Sequence, residues 1–136
     1  MMIQTRDQLY AACAFRQIEP LQQEWKDKDH PHRKAYSSMA FKLPVLIRMA
    51  GLAQALAFVQ SRGKAPAKRL LDHIATAIGE GDAATLAKRS REANLSEYMQ
   101  LTQKTLAATI WYKRFVQSLL DYEPSNDPDD DQGDEA

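Results

Sequence analysis

The most constraining feature of this chain is a stripe near its C-terminal end. Tyr98, Leu101, Thr105, Ala108, Tyr112, Phe115 and Leu119 recur at steps of three and four across residues 96–120. Such steps return a side chain to one face of an α-helix, whereas a strand needs a step of two. At ~1.5 Å per residue the segment makes a rod on the order of 35 Å long, the spine of whatever packs around it. Apolar residues, 44% of the 136, are dominated by Ala and Leu, with Val rare and Gly and Pro few. Ala and Leu lose little rotamer freedom in a helix, and scarce β-branched residues remove most of the case for strands. The expected fold is all-α. The length suits one domain, a single bundle of about five to seven helices.

Earlier segments repeat the pattern. Thr5 and Gln8 have the spacing of a capping box, and Tyr10, Ala14, Ile18, Leu21 and Trp25 form the stripe of a long first helix that Pro20 should kink. Residues 26–34, polar and containing Pro31, read as the first connection. Tyr36, Met39, Leu43 and Ile47 share the next face, and Pro44 is expected to divide it into two pieces, 33–43 and 45–50, at an angle. After Gly51 comes a stripe of Leu52, Ala55, Leu56 and Val59, closed by Gly63 as a residue just past the helix end. Pro66 suits the first turn of a helix carrying Leu70, Leu71, Ile74, Ala77 and Ile78 as far as Gly79. Asp82 can cap a short helix to about Glu92, with Ala83, Leu86 and Ala87 inward. Beyond Tyr122 the acidic, Pro-containing composition offers nothing to bury. The expected division is a helical domain over 1–122 and a disordered acidic tail over 123–136.

A formal net charge of zero conceals a division. Residues 1–120 hold all 18 Lys/Arg but only 10 of the 18 Asp/Glu, and residues 121–136 hold the other 8 acids and no base. The body is therefore basic, and a basic surface on a small domain points first to polyanions. Its bases fall into groups. Lys88, Arg89 and Arg91 cluster on the short helix, and Lys64, Lys68 and Arg69 around the start of the one before it. Lys68 with Asp72 and Lys88 with Glu92 have the i,i+4 spacing of local ion pairs, in the weaker order. Lys42 and Arg48, which flank Pro44, and Lys113 and Arg114 have no acid at that spacing. They are freer to meet phosphates. Aromatics do not interleave with these bases, so backbone contact is expected rather than base stacking.

Other chemistry finds little support. Cys13 alone excludes an internal disulfide and a cysteine zinc site, and among alanines it reads as a small buried group. Asp27, Asp29, His30 and His32 alternate like metal ligands, but on a connection with Pro31 and no third ordered ligand group they read as a solvated loop. His73, isolated beside Asp72, reads as a partly exposed helix residue. No nucleophile–base arrangement and no glycine-rich phosphate cradle is visible. The expectation is no catalysis, no metal and no cofactor. No apolar run of ~18 residues or charged-then-apolar leader is apparent, so a cytoplasmic protein without a membrane partner is expected.

One segment is specific. Tyr36, then Lys42, Leu43, Pro44, Val45, Leu46, Ile47 and Arg48, with Gly51, Leu52, Gln54, Leu56, Ala57 and Phe58, resembles the hallmark of the small helical subunit of type III-B CRISPR effector complexes, the fifth protein of the Cmr module. Tyr98, Leu101, Thr102, Leu106, Trp111, Lys113, Arg114 and Phe115 are similar to that family's last helix, and Ala11 and Ala12 before Pro20 to its opening. The resemblance covers about residues 2–120. One departure is Ala50, where the family commonly carries a polar residue such as Asn, and the acidic tail is another. The resemblance implies a non-enzymatic helical bundle acting in antiviral defence. It implies several stacked copies inside a ribonucleoprotein, with the backbone subunit, the large subunit and neighbouring copies as partners. It further implies basic faces lining the channel of the guide RNA–target RNA duplex. Lys42 and Arg48 are then the first choice for RNA-binding residues, followed by Lys113 and Arg114, with Pro44 and Gly51 shaping the turn that presents them. Tyr36, Leu43, Ile47, Leu52, Leu56, Tyr98, Trp111 and Phe115 would form core. Lys64, Lys68, Lys88, Arg89 and Arg91 are possible additional RNA or subunit contacts. The rival reading is a DNA-binding helical regulator, although no two short helices joined by a tight turn present a recognition face.

Overall fold

The computed structural model describes residues 3–124, which form seven helices and no strand: α1 (Arg6–Ile18), α2 (Leu21–Glu24), α3 (Pro31–Ala50), α4 (Leu52–Arg62), α5 (Ala65–Ala77), α6 (Ala83–Glu92) and α7 (Leu95–Leu119). The longest, α7, packs most extensively on α1 and α3, and α3 also packs on α5. α3 and α7 are antiparallel. Arg33 at the start of α3 donates to the Leu120 carbonyl past the end of α7, and Tyr98 at the start of α7 reaches Ala53 beyond the end of α3. The expected tail, 123–136, lies outside the described residues apart from its first two.

The α7 stripe buries Leu101, Thr105, Ala108 and Tyr112 as expected, then drifts. Val116 takes the deep position, while Tyr98, Phe115 and Leu119 are half-buried, as is Trp111. Steps of three and four alternating in strict heptads have a period of 3.5, and an α-helix slips ~20° per heptad against it. The seam therefore moves by one residue over the helix. The first stripe holds throughout: Tyr10, Ala14, Ile18, Leu21 and Trp25 are all buried. Thr5 and Gln8 form both bonds of the capping box. Pro20 goes further than a kink, ending α1 and starting the single turn of α2.

Three expectations are corrected. Pro44 does not divide its helix, since α3 runs unbroken from Pro31 to Ala50 with Pro44 buried inside it. Proline removes one amide donor and crowds one turn, and here buried Ala40, Leu43, Pro44 and Ile47 outweigh that loss. The first connection is shorter than 26–34, because Pro31, with φ fixed and no amide to satisfy, opens α3 after His30. Cys13 is half-buried, because it flanks the stripe of Tyr10 and Ala14 rather than lying on it.

Two glycines carry geometric demands of different kinds. Gly51 has φ +89°, and a Cβ there would approach the Tyr98 hydroxyl to 3.2 Å. It supplies the turn between α3 and α4 that no L side chain adopts comfortably. Gly63 follows α4 as expected but with an extended φ of −69°. Its need is for space, as a Cβ would stand 2.5 Å from the Val59 carbonyl oxygen.

Candidate nucleic-acid interface

The α3–α7 seam opens on one side into a cleft of about 240 Å³ lined by Pro44 and Arg48 from α3 and Thr109, Ile110, Lys113, Arg114 and Gln117 from α7. Arg48, Lys113 and Arg114 are exposed, and no carboxylate among the described residues pairs with them. Aromatic faces hold two of them. The Lys113 ammonium lies 5.1 Å from the centre of the Phe41 ring, and the Arg114 guanidinium 5.8 Å from that of Trp111. Such contacts attract a cation without neutralising it, leaving its charge for an incoming anion. Gln117 adds an exposed neutral hydrogen-bonding group that the basic residues alone did not point to, while Thr109 lines the cleft from a buried position with its hydroxyl donating to the Leu106 carbonyl at 2.7 Å. Their signal was available: Thr109, Lys113 and Gln117 stand at successive i,i+4 steps on one face.

Lys42 is not part of this lining. On an unbroken helix six residues turn through ~600°, which leaves Lys42 and Arg48 ~120° apart. Their expected partnership depended on a turn at Pro44 that does not form. Lys42 is half-buried and engaged in an interaction of its own. Gly51 does make a turn, but one residue beyond α3.

The other basic groups behave differently. Arg89 pairs at 2.8 Å with Glu80, a buried carboxylate that also accepts from Lys104 at 3.2 Å, and Arg89 reaches Glu97 at 3.5 Å. Arg69 makes a two-pronged pair with Glu24 and lies 5.4 Å over the Trp25 ring. That hydrogen-bonded guanidinium holds the Glu24 carboxyl below the usual carboxylate range. Neither expected local pair, Lys68 with Asp72 or Lys88 with Glu92, is formed. Asp72 accepts instead from the Ala83 amide at 2.8 Å, tying α5 to α6. Lys64, Lys68, Lys88 and Arg91 stand exposed on or beside α5 and α6, away from the cleft lining.

Between α1, α3, α5 and α7 lies a partly buried polar network. The Tyr36 hydroxyl is 2.8 Å from His73 Nδ1, the single Tyr112 hydroxyl proton is shared between the Gln17 side-chain carbonyl and the His73 carbonyl, and the Gln17 side-chain amide also donates to the His73 carbonyl at 3.0 Å. Burial, reinforced by the Arg69 charge, lowers His73 to about 4, and burial raises both phenols. The imidazole is therefore neutral at pH 7, with its Nδ1 hydrogen-bonded to the Tyr36 hydroxyl. His73 is partly exposed, as expected, but the bond that joins α3 to α5 was not legible from its neighbours. The alternating His and Asp residues have local tasks: His30 Nδ1 accepts from the His32 amide to cap α3, and Asp27 accepts from the Asp29 amide. The polar side chains tie helices together. No helix among the described residues is long and apolar enough to cross a membrane.

Comparison with known proteins agrees with this architecture. The family described as CRISPR-associated protein (Cas_Cmr5) matches residues 6–119. A curated relative, the CRISPR system Cmr subunit Cmr5 of Thermus thermophilus, is 44% identical over 119 residues, covering 88% of this chain and 99% of its own. The X-ray crystal structure of a CRISPR-associated Cmr5 family protein from the same organism superposes with a TM-score of 0.76 at 44% identity, over 86% of this chain and 98% of that one. Match, identity and fold run through the same helices, and the chain belongs to the Cmr5 family of CRISPR-associated proteins.

Proposed function

We propose that this protein is a non-catalytic structural subunit of a type III-B CRISPR RNA-guided effector complex. In this reading several copies stack beside the backbone and large subunits, and the α3–α7 cleft faces the guide RNA–target RNA duplex. The observation that carries it is the convergence of Arg48, Lys113 and Arg114 from two helices with no carboxylate among them, on a chain of the Cmr5 family. An RNA duplex hides base edges in a narrow major groove and offers phosphates and 2′-hydroxyls. Three exposed cations with the exposed Gln117 beside them suit that surface and carry no base-reading geometry. Lys42 remains in the proposal as a separate contact on another face of α3. Lys64, Lys68, Lys88 and Arg91 remain as contacts to RNA or to other subunits.

Binding of this kind acts through counterion release, so it weakens steeply with salt and depends little on sequence. The test is fluorescence anisotropy of a guide–target RNA duplex with the wild-type chain and with R48A/K113A/R114A across a salt series. The slope of log affinity against log salt is expected to flatten by about two to three units, at ~0.7–0.9 per lost phosphate contact. An unchanged slope would remove these residues from the role. A preference for duplex DNA over the RNA duplex at matched salt would support the DNA-binding regulator instead.

A further inference from the structure

The cleft lies close, through Phe41, to the C-terminal end of the described residues, where the acidic segment begins. Asp121 ends α7 in the left-handed region, with φ 55°, and the Tyr122 amide turns back to donate to the Val116 carbonyl at 3.1 Å. The chain therefore turns at the C-terminal end of α7, and Tyr122 is held against its last turns. Tyr122 packs its ring against Phe41, centroids 5.2 Å apart, and Phe41 is the ring that carries Lys113. One aromatic side chain thus separates the exit of the segment from a cation of the cleft. The first acid of the run already folds back on the body, with the Asp121 carboxylate 3.6 Å from Lys28 and 3.7 Å from Arg33.

We propose that residues 125–136 dock in the α3–α7 cleft of their own chain and compete there with RNA for Arg48, Lys113 and Arg114. The segment carries Asp127, Asp129, Asp130, Asp131, Asp134 and Glu135 and no base. Asp127 lies three residues beyond Pro124, a span of up to ~10 Å, and Asp131 seven, up to ~25 Å. Through the shared Phe41 ring, 5.2 Å from the Tyr122 ring and 5.1 Å from the Lys113 ammonium, Lys113 lies within about 10 Å of the Tyr122 side chain, a distance comparable to the first span. The basic residues nearest the exit are a poorer destination, because Lys34 pairs with Asp29 and Lys28 with Asp121. Among the described residues no carboxylate pairs with the cleft cations. Each exposed pair is individually weak, but a short tether holds the acids at millimolar effective concentration. Several pairs then form together, as a phosphate backbone would form them. The contact stands on its own geometry; only its effect on RNA rests on the function proposed above.

The natural chain is compared with a chain ending at Pro124 and with full-length D127N/D129N/D130N/D131N. Amide NMR spectra at about 10 mM salt, where charges act over ~30 Å, should differ from the natural chain at Thr109, Ile110, Lys113 and Gln117 in both variants. Those differences should vanish near 1 M salt, where the range is ~3 Å. Both variants should bind the guide–target RNA duplex about tenfold more tightly at low salt and equally at high salt. The proposal is overturned if the amide differences stay within residues 120–124 and around Lys28, or if all chains bind RNA equally at low salt. Should none of them bind RNA, the proposed function fails, and the amide differences alone decide whether the segment occupies the cleft.

Discussion

Two basic regions of this molecule use the same residue types to opposite ends. On α6 the run of Lys88, Arg89 and Arg91 is the densest positive cluster in the sequence, yet Arg89 is bound to a buried carboxylate, Glu80, that also takes Lys104. Along the α3–α7 cleft the bases are sparser, and what holds Lys113 and Arg114 is an aromatic face rather than an acid. A carboxylate at 2.8 Å cancels a cation's field beyond the pair; an aromatic ring positions it and leaves the field intact. Density of charge along a chain is thus a poor guide to available charge. The partner across space decides it.

The sharpest way to break this contrast is to remove each region in turn. R48A/K113A/R114A is expected to lower affinity for a guide–target RNA duplex by about 100-fold at moderate salt, while K88A/R91A lowers it less than about threefold. The unfolding free energy of the first variant should stay within ~0.5 kcal/mol of wild type, because exposed side chains are removed. Anisotropy and urea titrations on the same samples check both halves. Equal losses of affinity from the two variants would end the distinction.

Next in size is the acid that neutralises the α6 region. Glu80→Gln leaves Arg89 and Lys104 facing a neutral amide in a buried position. Losing one member of a buried pair costs several kcal/mol, and the partial exposure of both cations reduces this to about 2 kcal/mol. Urea unfolding should register it. The freed Arg89 should also give this region a steeper salt dependence of RNA binding, making it resemble the cleft; a variant as stable as wild type would show that Glu80 does not organise the cluster.

The legibility of the fold and of the site followed different physics. Helix existence rests on periodicity and caps, both local, so the α1 stripe, the Thr5–Gln8 box and the Asp82 cap of α6 were plain in the sequence. Pro44 misled because its cost is local but the burial that outweighs it comes from α5 and α7. Pro44 and Gly51 were expected to shape a turn presenting Lys42 and Arg48 together, and the unbroken helix sets the two ~120° apart instead. Arg48, Lys113 and Arg114 were each visible as bases without a local acid. Their convergence, and the loss of Arg89 to Glu80 nine residues earlier in a different turn, are tertiary facts that spacing does not carry.

The network joining α1, α3, α5 and α7 is a third arrangement, in which a titratable group is kept neutral. His73 in the fold protonates only near pH 4, against about 6.5 in the unfolded chain. Between those values the unfolded state binds more protons, so stability is complete above about pH 6.5 and declines as pH falls toward 4. The loss should be on the order of 2 kcal/mol once partial solvent access is allowed for. Urea midpoints at stepped pH should show this decline in wild type and a flatter profile in His73→Asn, whose amide oxygen can still accept from Tyr36. An equal slope in both chains would place the titration on the surface carboxylates instead.

The smallest effect concerns how the helix that follows α3 is held. α4 begins after Gly51, which has no side chain to cap the helix, and Ala50 before it offers none. The Ala53 amide is satisfied from a distance by the Tyr98 hydroxyl at 3.0 Å, and the left-handed turn at Gly51 lets that hydroxyl approach. A residue of α7 therefore performs the duty that a local polar side chain performs at Thr5, Asp82 and Asn94. Tyr98→Phe keeps the ring and removes only this bond, at about 1 kcal/mol. Because Arg48 sits one turn before Gly51, the same change should weaken RNA binding two- to threefold with no change in salt slope, as a positioning residue does when the number of phosphate contacts is preserved. A flattened slope would mean that Tyr98 itself touches the RNA, and the boundary of the cleft would then have to be drawn further along α7, past Thr102 to its first turn.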